Sequence, residues 1–388
     1  VSWRELWLVE QALSGERKIL ESGPLVSVVV PAYNAARTID ATLRSVRSQT
    51  YRNLEIVVVI DGATDDTEAI VRAHAAEDPR IAVLVTANQG VAAARNAGVA
   101  ESRGDLIAPI DADDLWSPQK TERQVAVFGA HDETLGCVYT AYRLIDVDGR
   151  VIRTGPATTI AGETFLRSLY LNFVGNGSAL MIRRAAFDSV GGYDPSLRAR
   201  WAQGAEDRLI QSLIARRWGV APAPGYLTGY RLTSGTMSSN VESMSLSQFG
   251  ALEIIAATYP DTPDVCRREA EAVLYARLAY ARARRLRLGA AWSALFSAFA
   301  RDPLVTADIL GAELRGIAQR AAGRLERRAN AGSGALFLEM DPDVIVGSQS
   351  RRPLGWKMRR LEMEEGRFAE TPAMASVTPK RPATEVLR

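Results

Sequence analysis

Four short apolar runs, 25–30 (LVSVVV), 54–60 (LEIVVVI), 81–85 (IAVLV) and 106–110 (LIAPI), each stop at a polar cluster, and this rhythm is the strongest constraint on the fold. The first, second and fourth, continuous apolar runs without alternation, read as buried strands of a parallel sheet, and the third as a further strand. Between the first two, Ile39, Leu43 and Val46 recur at helical spacing over 38–50, and Ile70 and Val71 mark a second helix over 64–76. The order strand, helix, strand, helix, strand, helix, strand predicts a doubly wound α/β sheet with right-handed crossovers. In such a sheet ligands gather outside the carboxyl ends of the strands. There the chain places Ala32-Tyr33-Asn34, the 61–66 segment DGATDD, Asn88-Gln89-Gly90 with Arg95-Asn96, and finally Asp111-Ala112-Asp113-Asp114.

Three carboxylates in four residues at 111–114 repel one another unless a counter-charge is present. A divalent cation that also neutralises a diphosphate supplies one. The alternative is an acidic turn capping a helix opened by Ser117-Pro118. The first strand turns through PAYNAA, which lacks the glycines a dinucleotide cofactor requires, and no Gly-Lys-Ser/Thr of a P-loop is present. Taken singly, Asp61 is a turn cap, Arg95 a charge on a solvated helix face and Tyr33 a packing residue; their joint placement at strand ends favours a site.

With VSVVVPAYN over the first strand, Asp61-Gly62-x-x-Asp65, NQGVAAARNAG from Asn88 to Gly98 and the DADD motif, the chain resembles the inverting family-2 glycosyltransferases. The likeness covers about 25–235 and implies a GT-A fold: a doubly wound, mostly parallel sheet flanked by helices, here with an added C-terminal α-helical region. It implies that Pro31, Ala32 and Tyr33 line a nucleobase pocket, that Asp61 accepts from the base, and that Arg95 lies near base or phosphate. It further implies that Asp111 holds the ribose hydroxyls and Asp113 ligates Mg²⁺ or Mn²⁺, and it leaves Asp114 without an assigned role.

Further along, 118–128 reads as a helix, 137–145 as a strand leading to Asp146-Val147-Asp148-Gly149, and 178–182 as another strand. Gly204-Ala205-Glu206-Asp207 opens an apolar helix. In the resembled family such an acidic pair supplies the catalytic base, which assigns Asp207 that role and Glu206 a supporting one. Chemically a second carboxylate is required, because inversion demands that the acceptor hydroxyl lose its proton as it attacks. The plainer reading is two acids in a first helical turn, favoured there by the dipole. The segment 229–238 resembles the family's closing loop. There Arg231 would neutralise the leaving diphosphate, and Thr233 stands where the family often has a His, leaving the metal to Asp113, phosphate oxygens and water.

The expected organisation is an amphipathic helix at 1–22, a GT-A domain at 23–245 (nucleotide half 25–117, acceptor half 118–245), a helical region at 246–330, and a linker and partly disordered tail at 331–388. Arg282, Arg284, Arg285 and Arg287, then Arg315, Arg320, Arg324, Arg327 and Arg328, make the helical region basic although the whole chain is only +2. Without interleaved aromatics or a recognition motif this does not read as nucleic-acid binding. An anionic membrane surface or a lipid-linked acceptor suits it better, and a plain Arg-decorated helical layer explains it equally. No stretch reaches the ~20 apolar residues of a membrane span. Acids run through 3–20, so no secretory leader is expected, and the cytoplasm, with peripheral docking on its membrane face, is the expected location. Cys137 and Cys266 suggest no disulfide framework, and His74 and His131 match no site motif.

The expected activity is metal-dependent transfer of a sugar, with inversion, from a nucleoside-diphosphate donor, UDP-sugar favoured, to a saccharide or lipid-linked saccharide, in bacterial-type cell-surface polysaccharide or glycolipid synthesis. A nucleotidyltransferase would want a Gly-rich basic loop after its first strand, which PAYNAA is not. A non-catalytic nucleotide-sugar-binding scaffold would keep the nucleotide motifs and dispense with the base.

Overall fold

The computed structural model describes residues 23–157, 159–200, 204–232, 241–315, 335–344, 361–362 and 364–365. The expected helix at 1–22, Thr233 and the tail beyond 365 lie outside them. Strands β1 (Val26–Ala32), β2 (Leu54–Asp61), β3 (Ile81–Thr86) and β4 (Leu106–Pro109) fall on the four apolar runs to within a residue or two. With β5 (Leu115–Trp116), β6 (Leu135–Ile145), β7 (Val151–Thr154), β8 (Leu180–Arg183) and β9 (Gly219–Arg231) they form one sheet. Its order is β3-β2-β1-β4-β8-β6-β9-β5, with β7 paired to β6. β1 pairs in parallel with β2 and β4, and β2 with β3. β8 then runs antiparallel between β4 and β6, and β6 and β9 are again parallel.

Helices cover both faces. Val26, Val28 and Val30 of β1, with Ile56, Val58 and Ile60 of β2, meet α1 (Ile39–Arg47), α2 (Thr67–Glu77) and, near β6, α4 (Lys120–Gly129). On the opposite face α3 (Val91–Glu101) packs so closely that a Cβ on Gly98 would sit 2.5 Å from Val29 Cγ1. Its run of alanines and Gly98 permits that approach and fixes Arg95, one turn earlier, at the carboxyl end of the sheet. After α4 come α5 (Phe165–Tyr170), α6 (Arg184–Ser189), α7 (Ser196–Arg200) and α8 (Glu206–Ala215). The C-terminal helices α9 (Val241–Thr258) and α10 (Asp264–Arg284) bury Leu252, Ile255, Val273 and Leu274 in the same cluster as Val29 and Ile107. A boundary at 245/246 therefore falls inside α9, and no core divides there. α11 (Leu288–Arg301) and a helix over 303–315 follow.

Two features depart from the sequence reading. Residues 219–231, taken only in part and as a loop, form the long strand β9, carrying Pro222 within its ladder and Pro224 and Gly225 where the ladder is interrupted. Gly225 has φ +98°, and the register with β6 shifts on either side of Ala141, so Pro224 and Gly225 sit in a bulge, while Pro222 stays in register opposite Tyr139. Second, part of the expected linker and tail is structured: 335–344 lies along the β6, β7 and β9 edge. Phe337, 1% exposed, fills a cluster with Leu115, Ile145 and Val151, and its N–H donates to Gly149 O at 2.9 Å. Arg123 meets Asp343 at 2.9 Å, and Arg143 donates to Asp341 O at 2.7 Å. Further on, buried Glu365 accepts from Arg167 Nε at 2.5 Å. Among the described residues no helix is long and apolar enough to cross a membrane.

Candidate active site

The carboxyl ends of β1, β2 and β4 and the start of α3 enclose the expected nucleotide half. Pro31 and Ala32 are buried, and Tyr33 beyond them is 54% exposed. Asn34, at φ +47°, accepts Thr64 N–H at 2.8 Å and ties the β1 end to the β2 turn. Asp61 is buried, and its two oxygens accept the N–H groups of Gln89 and Gly90, each at 2.8 Å. Both oxygens thus hold the turn that starts α3, the turn-cap role of the plainer reading.

The acidic turn after β4 is held from three sides. Thr42 of α1 donates to Ala112 O at 3.0 Å and Asp114 O at 2.8 Å, and Thr38 donates to Ala112 O at 2.9 Å. Asp114 is fully buried, accepting Ser178 Oγ–H at 2.6 Å and the Arg231 N–H at 2.9 Å. Ser178 Oγ in turn accepts the Asp111 N–H at 3.0 Å. Asp114 is therefore the anchor that leaves Asp111 and Asp113, both half-buried, to face the crevice. Burial, then the charge of Asp111, pushes the Asp113 carboxyl up to about 6; burial and both neighbours raise Asp114 well above the usual range. This is a turn short of positive charge. Among the described residues no three His, Cys, Asp or Glu side chains converge as a ready-made metal cage. The donor set suits a hard cation taking one or two carboxylates and completing its shell with phosphate and water.

Arg231 sits differently from expectation. Its guanidinium is buried, with Nε donating to Asp113 O at 2.5 Å and Nη1 to Asp146 O at 2.8 Å and Val147 O at 2.5 Å. These bonds make it a brace between the acidic turn and the 146–149 turn, placing positive charge beside Asp113.

Arg95 joins the halves. Its Nη2 meets Asp111 at 2.5 Å and its Nη1 meets Glu206 at 3.4 Å, and its guanidinium lies 5.2 Å from the ring centre of buried Tyr193. Glu206, at the start of α8, also accepts the Gly204 N–H at 2.8 Å. Asp207 lies alongside: a Cβ on Gly177 would stand 3.1 Å from Arg95 Nη2 and 3.7 Å from Asp207 Cβ. Burial, then the charge of Glu206, pushes the Asp207 carboxyl up to about 7, against the pull of Arg95. Arg95 is thus buried between the Asp111 and Glu206 carboxylates, and the solvated helix face is excluded for it.

Ser178, Gly177, Thr42 and Tyr193 were given no site role in the sequence reading, which took Ser178 only as the first residue of a strand. The signal that could have found the first two is Gly-Asn-Gly-Ser at 175–178, a turn signature just before that strand. In the structure 177–179 is a 3₁₀ turn capped by Asn176, which accepts the Ala179 N–H at 3.0 Å. His74 joins Asp40 to Arg47 on α1 and α2, away from the crevice, and His131 bonds Val127 O on its own helix end.

Residues 27–191 match the family described as "Glycosyl transferase family 2". Escherichia coli chondroitin synthase is 38% identical over 140 residues, 36% of this chain and 20% of that protein. An uncharacterized glycosyltransferase of Nostoc sp. is 34% identical over 188 residues, 46% of this chain and 57% of that one. The matched region thus spans a fifth of the first of these relatives and little more than half of the second. Among solved structures, S. aureus TarS 1–349 in complex with UDP-GlcNAc gives a TM-score of 0.54 at 18% identity, covering 75% of this chain and 92% of that one. The mannosyltransferase PcManGT from Pyrobaculum calidifontis, in complex with GDP-Man and Mn²⁺, gives 0.51 at 23% identity, covering 79% and 81%. At these identities the structural likeness speaks for the fold. Residues 27–191 are thus similar to glycosyl transferase family 2, and the fold that carries them is of the GT-A type.

Proposed function

We propose that the protein transfers a sugar from a nucleoside diphosphate to a hydroxyl acceptor with inversion. The observation that carries this reading is the Arg95 bridge: Asp111 of the donor turn and Glu206 of the α8 pair share one buried guanidinium although they lie far apart in sequence. A donor sugar lying past Asp111 would then present its anomeric carbon towards α8. Asp207 takes the proton of the acceptor hydroxyl; the freed oxygen forms the new glycosidic bond as the bond from the anomeric carbon to the diphosphate oxygen breaks in line. A carboxylate raised to about 7 is well matched to that proton. Glu206, held by Arg95 and the Gly204 N–H, fixes the start of α8.

Asp113, with Asp111 beside it, would hold Mg²⁺ or Mn²⁺. The cation would supply charge neutralisation for the departing diphosphate. Arg231 supports this from behind, as fixed positive charge and as the brace that shapes the turn. Pro31, Ala32, Tyr33 and Asp61 form the base pocket, and UDP is favoured, in line with the UDP-GlcNAc of the TarS complex. The GDP-Man of the PcManGT complex makes GDP the rival to test. The likeness to chondroitin synthase supports a saccharide or lipid-linked saccharide as acceptor and work in surface polysaccharide or glycolipid synthesis.

The test follows nucleoside diphosphate released from a panel of UDP- and GDP-sugars with Mn²⁺ and saccharide acceptors. Asp207→Asn should keep donor binding and lower kcat by about a hundredfold or more. Full turnover in that variant would remove Asp207 from the reaction.

A further inference from the structure

Helix α11 is built inside out. It buries Ala291, Ala294 and Ala298 and turns outward Leu288 (62% exposed), Trp292 (71%), Phe296 (75%) and Phe299 (41%). Spacings of four, four and three put these four side chains on one stripe. Leu286 before the helix is 83% exposed, and Leu304 and Leu314 on the helix after it are 71% and 64% exposed. Among the described residues, every large apolar side chain more than 60% exposed lies within 286–314. Elsewhere among the described residues the exposed apolar side chains, such as Tyr33, Val85 and Val147, are scattered singly, so small residues on the inner face and aromatics on the outer one call for an occupant on that surface.

Charge selects the occupant. From 282 to 301 the sequence holds five arginines and no acid. Three of them, Arg282, Arg285 and Arg287, crowd one carboxylate, Glu242, at 3.0, 3.6 and 2.9 Å, leaving an excess of positive charge at the start of the stripe. Arg284 lies exposed beside them, 5.9 Å from the Tyr280 ring centre, and Arg301, paired with Glu271 at 2.5 Å, closes the other end. Glu271 neutralises Arg301, so the excess lies at the start of the stripe, where a second copy laid parallel on it would bring arginine to arginine. A surface that accepts aromatic side chains and offers anionic groups around them meets both demands.

We propose that α11 and its flanking turns dock on an anionic lipid surface, with Leu288, Trp292, Phe296 and Phe299 entering the headgroup boundary and Arg284, Arg285 and Arg287 facing lipid phosphates. The inference stands apart from sugar transfer, since it requires no donor, metal or acceptor.

The test is co-sedimentation of the full chain with vesicles of phosphatidylcholine alone and of phosphatidylcholine with phosphatidylglycerol, in the absence of nucleotide. Binding should appear with the anionic vesicles only and fade as salt rises. The double variant W292S/F296S should weaken it by about tenfold or more. Both positions are exposed, so the variant's thermal melt should match that of the parent, and Val265→Ser on α10 serves as the control that leaves binding unchanged. Equal binding to both vesicle types, or anionic binding that W292S/F296S does not weaken, would overturn the proposal. Lipid-free light scattering completes it: a dimer that W292S/F296S dissociates would assign the stripe to a second copy and overturn it as well.

Discussion

Arg95 is the residue on which the two halves of the site close. Buried between Asp111 and Glu206 and facing the Tyr193 ring, it is itself held more firmly protonated by those carboxylates, although burial opposes it. Asp207 feels the same field and still rises to about 7, because burial and Glu206 outweigh Arg95. The consequence for stability has a definite sign. A carboxyl whose pKa is higher in the folded than in the unfolded protein binds its proton more tightly in the fold, so its contribution falls as pH rises from about 4 to about 7. Asp207→Asn removes that loss. Its melting temperature should equal the parent's near pH 4 and exceed it at pH 8, while the parent's kcat/KM rises through about pH 7 and the variant shows no such limb. A variant less stable than the parent at pH 8 would contradict the burial that gives Asp207 its raised pKa.

At the scale of elements, the acidic turn depends on parts distant in sequence: Thr42 on α1, Ser178 before β8, and the end of β9. β5, which follows the turn directly, pairs with β9 at Leu115 and Gly229, and Phe337 packs against both, with a Cβ on Gly229 standing 3.0 Å from its ring. Phe337→Ala should therefore cost roughly 3 kcal/mol or more in denaturant unfolding. It should also weaken metal-dependent nucleotide binding, because the plug behind β5 and Arg231 is lost; unchanged binding would show that the segment 335–344 stabilises the fold without shaping the turn. Legibility differed among these elements for physical reasons. β1 and β2 were plain because a strand buried on both faces has a continuous apolar sequence. β9 was hidden by Pro222, Pro224 and Gly225, which mark strands as broken; here β9 itself bulges, with Pro224 and Gly225 left out of the ladder between Ala223 and Tyr226. The docked 335–344 segment was hidden by the Gly-Ser-Gly before it, since one buried Phe carries no periodicity.

For the molecule as a whole, the site's parts were legible as motifs and its wiring was not. Asp111, Asp113, Glu206 and Asp207 were each visible as acids at a strand or helix end, whereas the bridge through Arg95 and the anchoring of Asp114 by Ser178 are contacts made only by folding. Arg231 shows the limit most clearly. Its position was found, but its buried guanidinium serves the backbone of Asp113, Asp146 and Val147. The C-terminal helices share the main core and turn their aromatic stripe outward, so the proposed sugar transfer and the proposed docking surface lie on separate parts of one body.

The most direct test of the central claim is calorimetric titration of UDP, GDP and dTDP into the protein, with and without Mn²⁺, repeated on Asp113→Ala. The account predicts that one nucleotide binds, that Mn²⁺ tightens it by about tenfold or more, and that Asp113→Ala loses the metal-dependent part while remaining folded. Binding of none of the three to folded protein, or binding that ignores both Mn²⁺ and Asp113, would contradict it and leave the acidic turn a structural cap.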